Sequence, residues 1–302
     1  MNMLQRFRGC LLGLAAGDAV GTTAEFKARG SFPPLTDMIG QGPFHLKPGQ
    51  WTDDTSMALC LASSLLYVGG FDAADQMRRY CNWYEHGYLS STGNCFDIGN
   101  TVRQALDKFK AAGEPFSGST QPNTAGNGSI MRLAPVPMFY FSRPDKALAY
   151  AVESSRTTHG ATECLDACRV LGSILLRALA GADKANVLFG ATPDGIMSDS
   201  IRQISQGNYR DKDANNIRGT GYVVESLEAA LWCFWTTETF ETAILTAANL
   251  GDDADTTAAI CGQVAGAYYG EDGIPLRWRL LLTEREMISD LADQLFAAGN
   301  LS

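Results

Sequence analysis

The chain of 302 residues has little of what several common enzyme classes require. It contains only three histidines, and its eight cysteines are scattered without a CxxC pair, so no group has the spacing of a zinc site. It has no GxSxG elbow for a nucleophilic serine, and its glycine-rich segment is not followed by the Gly-Lys-Ser or Gly-Lys-Thr of a Walker A loop. These absences argue against a zinc enzyme, a serine hydrolase and a P-loop nucleotide hydrolase.

Positive charge and long apolar runs are also scarce. The chain has 24 Lys and Arg against 33 Asp and Glu, a net charge of −9, so we expect no nucleic-acid partner. No apolar run reaches the ~20 residues of a membrane span. The two arginines and apolar stretch near the start imitate a signal peptide, but Asp18 interrupts the stretch and we reject that interpretation. The scattered cysteines indicate free thiols, and we therefore expect a cytoplasmic protein.

Alternating β patterns are almost absent, whereas helical periodicity recurs along the chain. The segment 55–68 is apolar nearly all round, which is typical of a central buried helix. The predicted helices are 55–68, 73–86, 99–112, 163–180, 222–235, 239–249, 255–269 and 283–298. We therefore predict an all-α, single-domain helical bundle over residues 1–302, with its polar clusters on irregular loops.

Two acidic clusters each open an apolar helix. The first is Trp51-Thr52-Asp53-Asp54-Thr55, and the second is Gly251-Asp252-Asp253-Ala254-Asp255-Thr256-Thr257. Either cluster can be explained as a helix cap, with Thr52 or Asp53 capping the first helix. Their common composition favours a shared site for Mg²⁺ or Mn²⁺, which prefer oxygen ligands. Asp54 or Asp255 would then bridge two ions about 3.5–4 Å apart.

Four further segments carry candidate site residues, each with a structural alternative. Glu25 follows the Gly17–Gly21 turn, which is either only a helix end or a segment that directs Glu25 towards the metal site or the substrate. Asp97 precedes a helix and is most simply its N-cap. Glycines around Asn127 expose backbone N–H groups that can cradle phosphate, although a plain turn has the same composition. His159 is a lone histidine beside a helix, a position that is more often structural than catalytic.

Seven motifs occur in an order that resembles one family. They are GCLLGLAAGDAVGTTAEF, WTDDTSMALCLASSLL, FDIGNTVRQAL, AGNGSIMRLAP, TTHGATECLDACRVLG, GYVVESLEAALW and NLGDDADTTAAICGQVAGAYYG. Each motif is weak alone, but the series is similar to the ADP-ribosylglycohydrolase family, and most of all to its dinitrogenase reductase-activating glycohydrolase branch. The resemblance runs from residue 6 to residue 270.

The resemblance implies an all-α fold around two divalent cations, Mg²⁺ or Mn²⁺. It assigns metal ligands to Thr52, Asp53, Asp54, Asp253, Asp255 and Thr256. It implies that Asp97 is the general base, as in the dinitrogenase reductase-activating branch, and that Glu25 matches an acidic residue near the metals that is catalytic in some branches. It places the ribose against Ile98, Gly99 and Asn100, the diphosphate against Gly126, Asn127, Gly128 and Ser129, and the nucleotide portion against His159 and Tyr222.

The predicted function is metal-dependent release of ADP-ribose from modified proteins, most simply from ADP-ribosylarginine, which reverses mono-ADP-ribosylation. Alternatives are a hydrolase of serine- or ester-linked ADP-ribose or of a small ADP-ribosylated molecule, and a regulator that binds ADP-ribose without cleaving it. A protein whose acidic clusters are only helix caps is a further alternative. The polar segment 206–221 and the loop before residue 123 lie between motifs and are candidates for shaping acceptor choice. We expect a monomer.

Overall fold

The apolar stretch near the start of the chain forms the first of fourteen α-helices in a computed structural model, which describes residues 1–300. The helices are α1 (Met3–Gly21), α2 (Asp53–Val68), α3 (Ala73–His86), α4 (Asn100–Ala112), α5 (Pro135–Phe139), α6 (Pro144–Arg156), α7 (Thr162–Leu179), α8 (Lys184–Phe189), α9 (Asp199–Ser205), α10 (Val223–Trp235), α11 (Phe240–Ala248), α12 (Ala254–Tyr269), α13 (Leu276–Leu281) and α14 (Arg285–Gly299). Within the described residues, β structure is limited to three isolated bridges. The predicted all-α class is confirmed.

All eight predicted helices are present, and their ends agree to within two residues. The sequence patterns missed α1, α5, α6, α8, α9 and α13. Four of these have only five to seven residues, too few to show a period. Helix α1 is longer, but its glycines give the segment 17–21 the composition of a turn. These residues are helical and buried, so the predicted Gly17–Gly21 turn is wrong.

Helices α1 and α12 pack with their backbones in direct contact. Glycine recurs at every fourth position of α1, at Gly9, Gly13, Gly17 and Gly21. A Cβ on Gly17 would lie 2.1 Å from the carbonyl oxygen of Ala258 in α12, a distance that no side chain tolerates. Because Gly9 faces Gly266 whereas Gly21 faces Ala254, the two helices run antiparallel. This glycine stripe brings the end of α1 against the start of α12.

Helix α2 completes the centre of the molecule. It is apolar nearly all round and packs against α1, α3, α5, α12 and α14, as its composition predicts. The N-termini of α2 and α12 and the C-terminal part of α1 therefore meet at one edge of the core. None of the helices within residues 1–300 combines the length and apolarity that crossing a membrane requires.

Candidate metal centre and cleft

The two acidic clusters, which are about 200 residues apart in sequence, lie side by side at the starts of α2 and α12. The Asp54 carboxylate joins them, because it accepts hydrogen bonds from the hydroxyls of Thr52 at 3.3 Å and of Thr256 at 3.4 Å. Asp54 and Asp255 are almost completely buried. The predicted meeting of the two clusters is therefore present in the fold.

The clusters are not simply helix caps. Thr52 occupies the N-cap position of α2, but its side chain makes no capping hydrogen bond. Asp18 of α1 takes that role instead, since its carboxylate accepts the backbone N–H groups of Thr52 at 2.8 Å and Thr55 at 3.0 Å. Glu25 acts similarly on α12, accepting the Ala254 N–H at 2.8 Å. Carboxylates from one segment thus satisfy the exposed N–H groups of two other helices.

The carboxylates form two triads that share a member. Asp18, Asp54 and Asp255 each place one oxygen within 4.8 Å of the others, and so do Glu25, Asp253 and Asp255. Asp53 belongs to neither triad but lines the adjacent cleft. Asp255 is the carboxylate common to both triads, and the sequence analysis named it, with Asp54, as a candidate bridging ligand.

Two buried oxygens in these triads indicate that a hard cation fits. Within the described residues, Asp54 Oδ1 and Asp255 Oδ2 are buried and have no hydrogen-bond partner. A buried carboxylate oxygen without a partner is costly, and oxygen donors at this density suit Mg²⁺ or Mn²⁺. The donor set and the unpartnered oxygens both fit divalent cations.

The raised pKa values of these carboxyls also favour a cation site. Burial raises the pKa of Asp18 to about 6 and that of Asp255 to about 7. Burial and repulsion from neighbouring carboxylates raise the pKa of Asp53 and Asp54 well above the usual range. Several buried carboxylates so close together repel one another unless protons or cations neutralise them.

Asp97 lies on the loop before α4, where it faces the triads. Its backbone is left-handed, with φ 60°, and Gly99 occupies the N-cap position of α4. The N-cap interpretation of Asp97 is therefore wrong. Burial, followed by the charges of Asp255 and Asp53, raises the pKa of Asp97 to about 11, and burial likewise raises the pKa of Glu25. Both carboxyls border the cleft.

A cleft of about 390 Å³ lies over the triads. Six of the seven residues predicted to contact the ribose and diphosphate line it: Ile98, Gly99, Asn100, Gly126, Asn127 and Gly128. His159, which was predicted to contact the nucleotide portion, lines it too. Ser129 is buried and lies outside this lining. Asn127 also reaches the metal side, since its Nδ2 donates to Asp253 Oδ2 at 3.0 Å. The glycine loop thus lies beside the acidic centre.

His159 is buried beside the glycine loop, where Thr158 contacts its ring. The hydroxyl oxygen of Thr158 accepts a hydrogen bond from Arg132 Nη2 at 2.7 Å and lies 2.8 Å from His159 Nδ1. We expect this hydroxyl to donate its one proton to Nδ1, which would leave the ring proton on Nε2. Burial and the charge of Arg132 lower the pKa of His159 to about 3, so the ring is neutral.

Tyr222 lies outside the cleft, in a neighbouring pocket of about 790 Å³. A bridge between Gly126 and Tyr222 joins the glycine loop to the start of α10, and the Tyr222 hydroxyl donates to Glu163 at 2.7 Å. This outer pocket and the cleft share Thr101, Gly126 and Gly221. A ligand can therefore extend from the acidic centre past the glycine loop to Tyr222.

The sequence analysis did not assign a role to Asp18, Arg132 or Thr158. Asp18 had a visible signal, because it is the only charged residue in the apolar stretch 9–24. A buried charge in such a stretch needs a partner, which here is the start of α2. Arg132 is completely buried as well, and no local sequence pattern indicates that its side chain supports His159.

Comparison with protein families gives a match over the whole chain. The family model for ADP-ribosylglycohydrolase covers residues 1–302. A solved structure described as an ADP-ribosylglycohydrolase-related protein complex superimposes with a TM-score of 0.88 and 42% sequence identity. That superposition covers 98% of this chain and 99% of the other.

Curated relatives match over nearly the full length of this chain. ADP-ribosylarginine hydrolase Tri1 of Serratia proteamaculans is 45% identical over 97% of this chain and 79% of its own length. The protein of the same name from Pseudomonas putida is 46% identical over 97% of this chain and 78% of its own. The ADP-ribosyl-[dinitrogen reductase] glycohydrolase of Rhodospirillum rubrum is 31% identical over 97% of each chain.

Proposed function

This chain belongs to the ADP-ribosylglycohydrolase family, and we propose that it releases ADP-ribose from modified arginine side chains by hydrolysing an N-glycosidic bond. The observation that carries the proposal is the meeting of two acidic helix N-termini beneath a cleft that continues past a glycine loop. Two relatives at 45% and 46% identity are named ADP-ribosylarginine hydrolases, which favours arginine over serine or ester linkages. The substrate partner is then an ADP-ribosylated protein.

We propose that two divalent cations, Mg²⁺ or Mn²⁺, complete the site. Asp18, Asp54 and Asp255 would hold one cation, and Glu25, Asp253 and Asp255 the other. Thr52, Asp53 and Thr256 offer further oxygen donors at the same helix starts. When bound, the cations would hold the vicinal hydroxyls of the ribose and polarise its anomeric region.

Asp97 is the better placed of the two candidate bases. Glu25 already accepts the Ala254 N–H at 2.8 Å, which ties it to the start of α12. Asp97 stands on a loop at the edge of the cleft. Bound cations would lower its raised pKa, and its carboxylate could then accept a proton from water. The water oxygen then bonds to the anomeric carbon, the C–N bond breaks, and the guanidine nitrogen leaves with the bonding electrons and takes up a proton.

The remainder of the substrate would lie along the glycine loop. The N–H groups of Gly126 and Asn127 already donate to Thr124 O and Gly221 O, so the predicted cradle reduces to the Gly128 N–H. That N–H and the Nε2–H of His159 are neutral donors suited to the diphosphate. Ile98, Gly99 and Asn100 form the facing wall for the ribose. The pocket beside Tyr222 has room for the nucleoside. Binding at both ends orients the scissile bond over the acidic centre.

A panel of linkages tests the proposed substrate. Purified protein is incubated with arginine-linked, serine-linked and ester-linked ADP-ribose, in Mg²⁺, Mn²⁺ or EDTA, and released ADP-ribose is quantified. We expect release from the arginine linkage only, and only with a divalent cation. Faster release from serine or ester linkages would contradict the arginine assignment, and tight binding of ADP-ribose without release would indicate a regulator.

The substitution Asp97→Asn tests the base. It removes the proton acceptor but keeps the side chain's size, so kcat should fall by about 10²–10⁴-fold. Calorimetry should show cation and ADP-ribose affinities close to those of the unmodified protein. Asp107→Asn, on the exposed face of α4, makes the same charge change outside the cleft and should leave kcat unaltered. Normal turnover by Asp97→Asn would transfer the role of base to Glu25.

We further propose that the protein acts as a monomer in a reducing compartment, the cytoplasm. The eight cysteines are all free, and seven of them are buried, which supports a thiol-preserving environment. Sedimentation at micromolar concentration tests the oligomeric state. A stable dimer would contradict the monomer proposal without affecting the site.

A further inference from the structure

The cleft over the acidic centre has a second exit. Besides the pocket beside Tyr222, it opens into a pocket of about 510 Å³ that also includes Arg218, Thr220 and Asp252. The cleft and this second pocket share Glu25, Phe26, Gly221 and Asp253. The scissile bond of a bound substrate would therefore lie between two exits with different lining residues. One exit would hold the ADP-ribose, and the other would hold the side chain that carries it.

Two residues with unusual backbone conformations form the second exit. Phe26 has φ 61° and Asp252 has φ 57°, in the left-handed region that bulky residues rarely adopt. Hydrogen bonds of 2.8 Å join their segments, from Phe26 N–H to Asp252 O and from Asp252 N–H to Lys27 O. A Cβ at residue 251 would lie 2.4 Å from Lys27 O, so only the glycine found there permits this approach. The exit is therefore rigidly built.

The two side chains at this exit have the chemistry that recognises a guanidinium. The Phe26 side chain is 68% exposed, although Phe44 packs edge-on against it with ring centres 6.2 Å apart. Within residues 1–300, the Asp252 carboxylate has no hydrogen-bond or ion-pair partner, whereas Arg218 lies 3.8 Å from Glu225. Guanidinium groups stack on aromatic faces and pair with carboxylates.

Charge separates the two exits. The second pocket contains the carboxylate of Asp252, which belongs to neither triad and suits a cation, and the Arg218 of this pocket lies beside Glu225. Among the described residues that line the pocket beside Tyr222, only Glu163 is acidic, and its carboxylate already accepts the Tyr222 hydroxyl. The diphosphate of an ADP-ribosylated arginine is anionic, and its guanidinium is cationic.

We propose that the second pocket is the acceptor subsite, where the modified arginine stacks on Phe26, pairs with Asp252 and leads its protein chain out of the cleft. This inference rests on the proposed function. Arg218 and Thr220 also line this pocket, and both belong to the segment 206–221 that the sequence analysis named as a candidate for shaping acceptor choice.

The test compares the affinities of two ligands. In an Asp97→Asn background with Mg²⁺, calorimetry measures Kd for free ADP-ribose and for a peptide ADP-ribosylated on arginine. The peptide should bind more tightly. Phe26→Leu should weaken peptide binding by about two- to fivefold and Asp252→Asn by about tenfold, with the affinity for ADP-ribose unchanged. Asparagine tolerates the left-handed backbone, so Asp252→Asn should fold.

Two controls distinguish this subsite from general damage. Asp107→Asn makes the same charge change outside all three cavities and should leave both affinities unaltered. Tyr222→Ala, at the other exit, should weaken both ligands to a similar extent. With Asp97 intact, kcat/KM should be higher for longer arginine-linked peptides than for shorter ones, and Phe26→Leu and Asp252→Asn should reduce this difference.

The outcomes separate the two proposals. The acceptor subsite is refuted if Phe26→Leu and Asp252→Asn leave the ratio of the two Kd values, for ADP-ribose and for peptide, unchanged. It is also refuted if they weaken ADP-ribose binding as strongly as peptide binding. Either result would hold even if the protein cleaves arginine linkages. If the ratio falls as expected but the intact protein cleaves no arginine linkage, the subsite is supported and the proposed hydrolysis is refuted.

Discussion

Single residues hold the site together through hydrogen bonds between distant parts of the chain. The Asp18 carboxylate bonds both the backbone and the hydroxyls of Thr52 and Thr55, which are 34 and 37 residues away. On the other side of the cleft, Arg132 supports Thr158, which in turn orients His159. A buried side chain can thus influence the cleft without touching a ligand.

The substitution Thr158→Val tests this support of His159. It removes the hydroxyl that fixes the ring tautomer and leaves a buried Arg132 donor poorly paired, which should lower the free energy of unfolding by about 1–3 kcal/mol. Nitrogen NMR of the ring should show His159 neutral and protonated on Nε2 above pH 4 in the unsubstituted protein, because its pKa is lowered to about 3. With three histidines in all, assignment is simple.

In Thr158→Val, the Nδ1-protonated form should become populated, and affinity for ADP-ribose should fall. Thr158→Ser retains a hydroxyl and should restore both the tautomer and the affinity. An unchanged tautomer in Thr158→Val would refute the role given to Arg132 and Thr158, whatever the loss of stability.

Sequence patterns identified many of the candidate site residues but not the contacts that those residues make. The spacing of Asp and Thr before two apolar helices indicated the metal centre, because each cluster is local in sequence. Asp18 was missed since its partners belong to another helix, and Asp97 was open to misreading because an acid before a helix usually caps it. Contacts over long sequence separations have no local signature.

Among the elements, the pair α1 and α12 determines the geometry of the centre. The glycine stripe permits backbone contact along roughly three turns of α1 and sets Asp18 beside Asp255. The sequence predicted α12 but not α1, whose Gly17–Gly21 segment has the composition of a turn. The two helices pair because glycines let their backbones touch, and amphipathic patterns contain no information about such contacts.

Gly17→Ala tests the importance of this contact. The new methyl group would lie 2.1 Å from Ala258 O, so the helices must separate. We expect a loss of about 1–3 kcal/mol in the free energy of unfolding, together with weaker cation binding as Asp18 and Asp255 move apart. Denaturant unfolding and calorimetry with Mn²⁺ measure the two effects.

Gly172→Ala in α7 is the matched control. There the nearest neighbour of a new Cβ is a leucine methyl group at 3.5 Å, an ordinary contact. Its stability should stay level or rise by up to about 1 kcal/mol, because alanine favours helix more than glycine does. Equal losses in both variants would mean that glycine in general, and not the α1–α12 contact, is what the fold requires.

For the whole molecule, concentrating carboxylates beneath one cleft makes stability depend on protons or cations. Asp18 and Asp255 have pKa values of about 6 and 7 in the folded protein, above the ~4 of an unfolded aspartate. Between these values the folded state binds more protons than the unfolded state, so stability decreases as pH rises.

Unfolding measurements at several pH values test this coupling. In EDTA, the free energy of unfolding should decrease from pH 4 to pH 7, as the protons that neutralise the site are lost. Saturating Mg²⁺ or Mn²⁺ should restore stability at pH 7 and have little effect at pH 4. Stability in EDTA that rises with pH over this range would contradict the electrostatic account, as would cations having no effect at pH 7.

The antiparallel pairing of α1 with α12 also has a consequence for biosynthesis. On the ribosome, α1 emerges well before α12, because the backbone that covers its glycine stripe is made more than 230 residues later. While those residues are made, the nascent protein exposes a hydrophobic helix without its neighbour, a situation that favours chaperone capture. The acidic centre can assemble only after α12 has been made.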